Sequence, residues 1–189
     1  MDNRTGGMAE AISGADVCIS MAKPGPGVIT KNMIGTMAKD PVVFACANPI
    51  PEIWPWEAKD AGARIVATGR SDFPNQLNNS LGFPGIFRGV LDVKARTITD
   101  EMCLAAAYEL AKLAEERGLE EDRIVPTMDD WEVYPREAAA VGMKAIDQGI
   151  AHVRLGKKEL YEIAFSHIKR AREQARLSLE NGFIQPFPK

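Results

Sequence analysis

The sequence is poor in the residues that build metal centres and disulfide frameworks. Among its 189 residues are only two histidines, His152 and His167, both in the last third, which argues against a histidine-based zinc site. Its three cysteines, Cys18, Cys46 and Cys103, are odd in number and widely spaced. Two of them, Cys18 and Cys46, sit in apolar runs, so reduced core thiols are expected rather than disulfides or a metal site. There is no apolar run long enough to cross a bilayer, and no charged-then-apolar segment near Met1. An excess of positive charge is also missing. A net charge of -3 and a pI near 5.5 speak against nucleic acid or an acidic membrane as partner. Together these absences lead us to expect a cytoplasmic protein.

What is present is an ordinary globular balance, 46% hydrophobic and 26% charged, on a chain long enough for one real core. The most telling stretch is Val42-Val43-Phe44-Ala45-Cys46-Ala47-Asn48-Pro49-Ile50-Pro51-Glu52-Ile53. Its first half is a short apolar run of the kind buried in a parallel sheet. Proline disfavours the helical region for the residue before it, so Asn48 is held extended at the strand's end. Such strand ends are where open α/β sheets bind ligands, although Asn-Pro also starts ordinary turns.

The surrounding pattern alternates strand and helix. Met8–Ile12 is a short helix stopped by Gly14, and Ala15–Ile19 a strand. Thr30 caps a helix through Lys39. The stretch Pro55 to Gly62 is a short helix, with proline near its start and glycine past its end, and Arg64–Thr68 a third strand. That order predicts a right-handed parallel arrangement. All three strands then end in small or polar residues on one edge: Ser20, Asn48 and Gly69-Arg70-Ser71-Asp72. Next come four amides within five residues, Asn75, Gln76, Asn78 and Asn79, which we expect to point into a site at that edge. An apolar, glycine-spaced segment runs from Leu81 to Leu91. Helices follow from a Thr99 cap with Met102, Ala106, Leu110 and Leu113 on one face, from Arg136 to Gln148, and from Lys157 to Asn181. The last carries a stripe, Leu160, Ala164, Ile168, Ala171, Ala175 and Leu179, expected to be core, and a tail from Phe183 to Lys189 follows.

Some motifs mislead. Gly25-Pro26-Gly27 lacks a third glycine, and its prolines remove donors a phosphate would need, although backbone could still pass close to a cofactor there. Asn78-Asn79-Ser80 matches a glycosylation acceptor, which has no meaning in a cytoplasmic protein. Asp129-Asp130 reads more simply as a helix start or turn than as a metal pair. Lys23 and Arg70 flank the edge and either meet an anion or face solvent.

Three segments, Phe44 to Ile53, Ala67 to Gln76 and Asn78 to Ile86, together resemble the prokaryotic-type malic enzymes, as do Ser13 to Val17 and the Pro24 to Lys31 loop. The resemblance covers nearly the whole chain. It implies an α/β fold, a partial Rossmann-like parallel sheet followed by C-terminal helices. Residues 1–100 would be the second half of an NAD(P)-binding domain, with 101–189 a helical segment packing on it. It further implies oxidative decarboxylation of malate to pyruvate with NAD or NADP and Mn2+ or Mg2+. By the same resemblance Asn48, Asn78 and Asn79 bind substrate, while Met21, Ala22, Gly25, Asn48 and Asn78 meet the cofactor. Family segments bearing the catalytic tyrosine and lysine, the metal ligands and the glycine-rich turn do not occur upstream of Asp16. Tyr108, Tyr134 and Tyr161 are not assigned those roles. We therefore expect a C-terminal part of a malic enzyme, inactive without its N-terminal half and belonging to a homo-oligomer. The alternative is a non-catalytic nucleotide-binding or oligomerisation module. Another dehydrogenase with a similar sheet is a weaker third.

Overall fold

Three apolar runs pair as parallel strands in the computed structural model, which describes residues 5–185. They are β1 (Val17–Ser20), β2 (Val42–Ala45) and β3 (Ile65–Thr68), in the spatial order β1-β2-β3. The register is even, Val17 opposite Val42 opposite Ile65, and Ser20 opposite Ala45 opposite Thr68. All three carboxyl ends therefore finish level. Parallel neighbours require crossovers. Here these contain α2 (Lys31–Gly35) and α3 (Pro55–Asp60), with α1 (Met8–Ile12) ahead of β1.

Two compact units account for the described residues, one of 5–79 with 113–127, the other of 80–112 with 128–185. The first is centred on β2, whose Val43 and Ala45 are fully buried with Ile29, Ile34, Ile53, Ala58 and Val66. Thr30 caps α2 by accepting from the Met33 N–H at 3.3 Å. The helix then stops at Gly35, short of the expected Lys39. Beyond it the chain is tied to the segment before β1, with Gly14 N–H donating to Thr36 O and Ala38 N–H to Ala15 O, so those groups cannot continue a helix.

The second unit is helical: α4 (Phe83–Asp92), the first part of α5 (Asp100–Glu116), α6 (Val133–Asp147) and α7 (Lys157–Glu180). Its core joins Ile86, Val93, Met102, Ala106, Ala139, Val141, Ala145 and Leu160. What read as a glycine-spaced apolar segment is α4. Gly85 and Gly89, one turn apart, let α4 approach α6 closely. A Cβ on Gly89 would stand 2.9 Å from Val141 Cβ, and one on Gly85 would collide with Glu137. The α7 stripe is core only at its start. Leu160 and Ala164 are buried, whereas Ala171, Ala175 and Leu179 are exposed, because nothing described in this unit covers the later turns. Cys18 and Cys46 are half-buried and Cys103 exposed, all as free thiols. Of the expected tail, residues 186–189 lie outside the described residues.

Candidate functional site

The site is built at the carboxyl end of the sheet, from the segments that follow β1, β2 and β3. Its most informative contact involves a residue with no side chain. Gly69, just past β3, is buried, and an added Cβ there would lie 2.9 Å from Asn48 Oδ1 and 3.0 Å from Asn48 Nδ2. The Asn78 side-chain amide donates to the Gly69 carbonyl at 2.9 Å. Two carboxamides from separate loops thus meet at one bare stretch of backbone. Asn48 is exposed, Asn78 half-buried and Asn79 exposed at the start of a 3-10 turn, Asn79–Leu81.

A residue the sequence reading passed over holds this edge together. Glu52 is fully buried and accepts from Ser20 Oγ at 2.7 Å, Ala22 N–H at 2.8 Å and Ala47 N–H at 3.0 Å. Burial pushes the Glu52 carboxyl up, but these hydrogen bonds outweigh it and leave its pKa below the usual 4.5. The ionised carboxylate ties the loop after β1 to the end of β2, immediately before Asn48. One signal was available: an acid between buried Pro51 and Ile53 has to find donors.

The cofactor-side expectations fall on the loop that Glu52 anchors. Met21 is 78% exposed, and Ala22 is exposed with its N–H on Glu52. Gly25 and Gly27 adopt φ of 111° and 101°, where glycine is favoured. Their N–H groups donate to Ile50 O and Glu52 O, each at 3.1 Å. The glycine loop therefore spends its donors on the neighbouring loop, in keeping with its poor fit to a phosphate cradle.

The four amides do not act alike. Asn75 is a correction to the expectation that they all point into a site. It is 6% exposed, donating to Val66 O at 3.1 Å and Glu121 O at 2.7 Å while accepting from Ile124 N–H at 2.9 Å. It binds the 121–124 segment to β3 and offers nothing outward. Arg70 also braces protein, giving two bonds to Asp72 and one to Pro49 O at 3.0 Å, with its guanidinium 5.4 Å above the Phe73 ring. Lys23 is exposed. Burial, and next the Glu52 charge, push the Cys18 and Cys46 thiols up, so neither is an activated nucleophile.

This chain matches the family described as malic enzyme, NAD binding domain, over residues 15–146. It belongs to the malic enzyme family. A bifunctional malic/malolactic enzyme of Bacillus subtilis is 47% identical over 161 residues, covering 85% of this chain and 39% of that protein. An NAD-dependent malic enzyme of Geobacillus stearothermophilus is 47% identical, covering 79% and 31%. The crystal structure of Entamoeba histolytica malic enzyme superposes with a TM-score of 0.96 at 53% identity, covering 99% of this chain and 39% of that one. This malic enzyme chain thus spans about a third to two fifths of the length of these relatives, and its Rossmann-like α/β fold is theirs. The exposed Asn48 side chain carries a donor and an acceptor of the kind a nicotinamide carboxamide pairs with. Metal does not fit the same way. Among the described residues no group of three or more His, Cys, Asp or Glu is placed to hold an ion.

Proposed function

We propose that this chain is the C-terminal part of an NAD(P)-dependent malic enzyme that converts malate to pyruvate and carbon dioxide. The observation that carries it is the meeting of the Asn48 and Asn78 carboxamides at Gly69, on the carboxyl edge of a parallel sheet. In this reading Asn48, Asn78 and Asn79 hold malate, while Met21, Ala22, Gly25, Asn48 and Asn78 border the cofactor. Neutral amides suit a dicarboxylate that must also meet a cation, since they orient it without adding like charge. The nicotinamide, when bound, supplies the hydride acceptor. Mn2+ or Mg2+ belongs to residues outside those described. Residues 1–100 serve as the second half of the cofactor domain and 101–189 as the attached helical segment. The working protein is a cytoplasmic homo-oligomer, and the chain is inactive without the preceding part.

Support for a missing part comes from β1. Among the described residues it pairs only with β2, and it leaves Val17 50% and Ile19 61% exposed. The test is NAD(P)H formation from malate with Mn2+, for residues 1–189 alone and joined to the preceding part of the Bacillus subtilis relative. We expect no turnover alone and turnover when joined, with Asn78→Ala and Asn79→Ala mainly raising the malate KM. A joined protein that binds NAD(P) but never oxidises malate would make the chain a nucleotide-binding module instead.

A further inference from the structure

Groups proposed above for two different ligands hang on one buried side chain. Met21, Ala22 and Gly25 lie on the loop after β1 and Asn48 follows β2, yet Glu52 reaches both segments. Its Oε1 accepts from Ser20 Oγ at 2.7 Å and from the Ala22 N–H at 2.8 Å. Its Oε2 accepts from the Ala47 N–H at 3.0 Å, one residue before Asn48. The Glu52 carbonyl adds a further tie, accepting from the Gly27 N–H at 3.1 Å and the Ile29 N–H at 3.4 Å. The two carboxylate oxygens thus hold different strand ends.

A carboxylate is a costly way to fill a core position. Burial works against the charge of Glu52, and the Ser20 hydroxyl and backbone donors more than offset it. An apolar side chain of that size would leave these donors without acceptors. The Ala22 and Ala47 amides both lie past the last register pair of β1 and β2, Ser20 opposite Ala45. Beyond that point the ladder no longer sets the path of the backbone, and a shared acceptor does.

We infer that Glu52 is a positioning residue for malate oxidation, setting the cofactor-side loop through Oε1 and the Asn48 carboxamide through Oε2. The inference rests on the ligand roles proposed above, since Glu52 acts through those groups and not on the reacting atoms. Two substitutions separate its oxygens. Glutamine has a single acceptor oxygen, which belongs where two donors meet it, at Ser20 and Ala22. Its NH2 then faces the Ala47 N–H, donor against donor. Ser20→Ala takes a donor from Oε1 alone.

The test is steady-state kinetics of residues 1–189 joined to the preceding part of the Bacillus subtilis relative. Glu52→Gln should lower kcat by about tenfold or more and raise the malate KM, as displaced orienting groups do. Ser20→Ala should spare kcat and raise the NAD(P) KM by about threefold, the range of one lost hydrogen bond. In residues 1–189 by themselves, hydrogen exchange at the Ala47 amide should quicken by about tenfold or more in Glu52→Gln and hold steady in Ser20→Ala. Circular dichroism checks the fold, and Ser20→Ala decides alone if Glu52→Gln does not fold. Unchanged kinetics in the variants, the same kinetic change in both, or an Ala47 amide indifferent to Glu52→Gln overturns the inference. A joined wild-type protein without turnover overturns the malate reading itself, so the two failures are told apart.

Discussion

At the scale of single residues, the edge depends on what Gly69 lacks. Its φ lies outside the left-handed region, so alanine is allowed there as far as the backbone is concerned. The three atoms nearest an added Cβ belong to the Asn48 carboxamide, the far end of an exposed side chain. Gly69→Ala should therefore change stability by less than about 1 kcal/mol, since Asn48 can swing aside without opening a cavity. The same swing removes Asn48 from its neighbour Asn78. In the joined enzyme we expect kcat/KM for malate to fall by about tenfold or more, as small misplacements of orienting groups do. Thermal unfolding and steady-state kinetics measured together decide it. A large stability loss with unaltered kinetics in the folded fraction would contradict this account.

At the scale of elements, α4 and α6 are locked by a buried acid. Glu137 is fully buried against Gly85, and neither of its oxygens finds a partner among the described residues. Tyr134 on α6 and Glu109 on α5 are the titratable groups coupled to it. Its folded pKa of about 9 exceeds the ordinary 4.5, so between these values the folded chain holds a proton that the unfolded chain has released. Stability therefore falls as pH rises through that window, at up to about 1.4 kcal/mol per pH unit. Glu137→Gln keeps the shape and removes the titration. It should stabilise the chain at pH 8, show little gain near pH 5, and flatten the profile between. Denaturant midpoints across that range would reveal it.

Much of this element level was legible beforehand. The strands of the first unit are continuous apolar runs closed by turn residues, and the second of them could be read as running up to Asn48. The helix α4 was not legible, because Pro84, Gly85 and Gly89 are poor helix formers and only the close approach of α6 makes them useful. Asn75 and Asn78 have the same side chain three residues apart, and only the chain folding back at 121–124 turns one inward. The α7 stripe shows the converse limit: periodicity identifies a face, but not whether anything covers it.

At the scale of the whole molecule, the decisive feature is the open side of β1, which among the described residues pairs only with β2. The carbonyls of Asp16 and Ser20 accept from Val42 and Cys46 N–H, each at 2.9 Å, so the backbone groups of the alternate residues Val17 and Ile19 face the open side. Proteins usually blunt such an edge with charge, proline or a bulge. The β1 sequence, Val-Cys-Ile-Ser, has none of these, and beside it Met8, Ala11, Ile12 and Ile29 help line an apolar groove of about 250 Å³. An apolar, unblunted parallel edge is reasonable where another parallel strand covers it, and relatives have more than half their length outside the matched part. In residues 1–189 alone, the Val17 and Ile19 amides should exchange with solvent rapidly. Joined to the preceding part of a relative, they should slow by about 100-fold or more. Ile19→Lys separates cover from mere proximity. In the isolated chain it should leave stability nearly unchanged and reduce self-association, because the side chain is already in water. In the joined protein the same lysine would be buried without a partner, and a loss of about 2–4 kcal/mol is expected. If the joined protein tolerated it, β1 would be an edge there as well, and the preceding part of the relative would attach elsewhere.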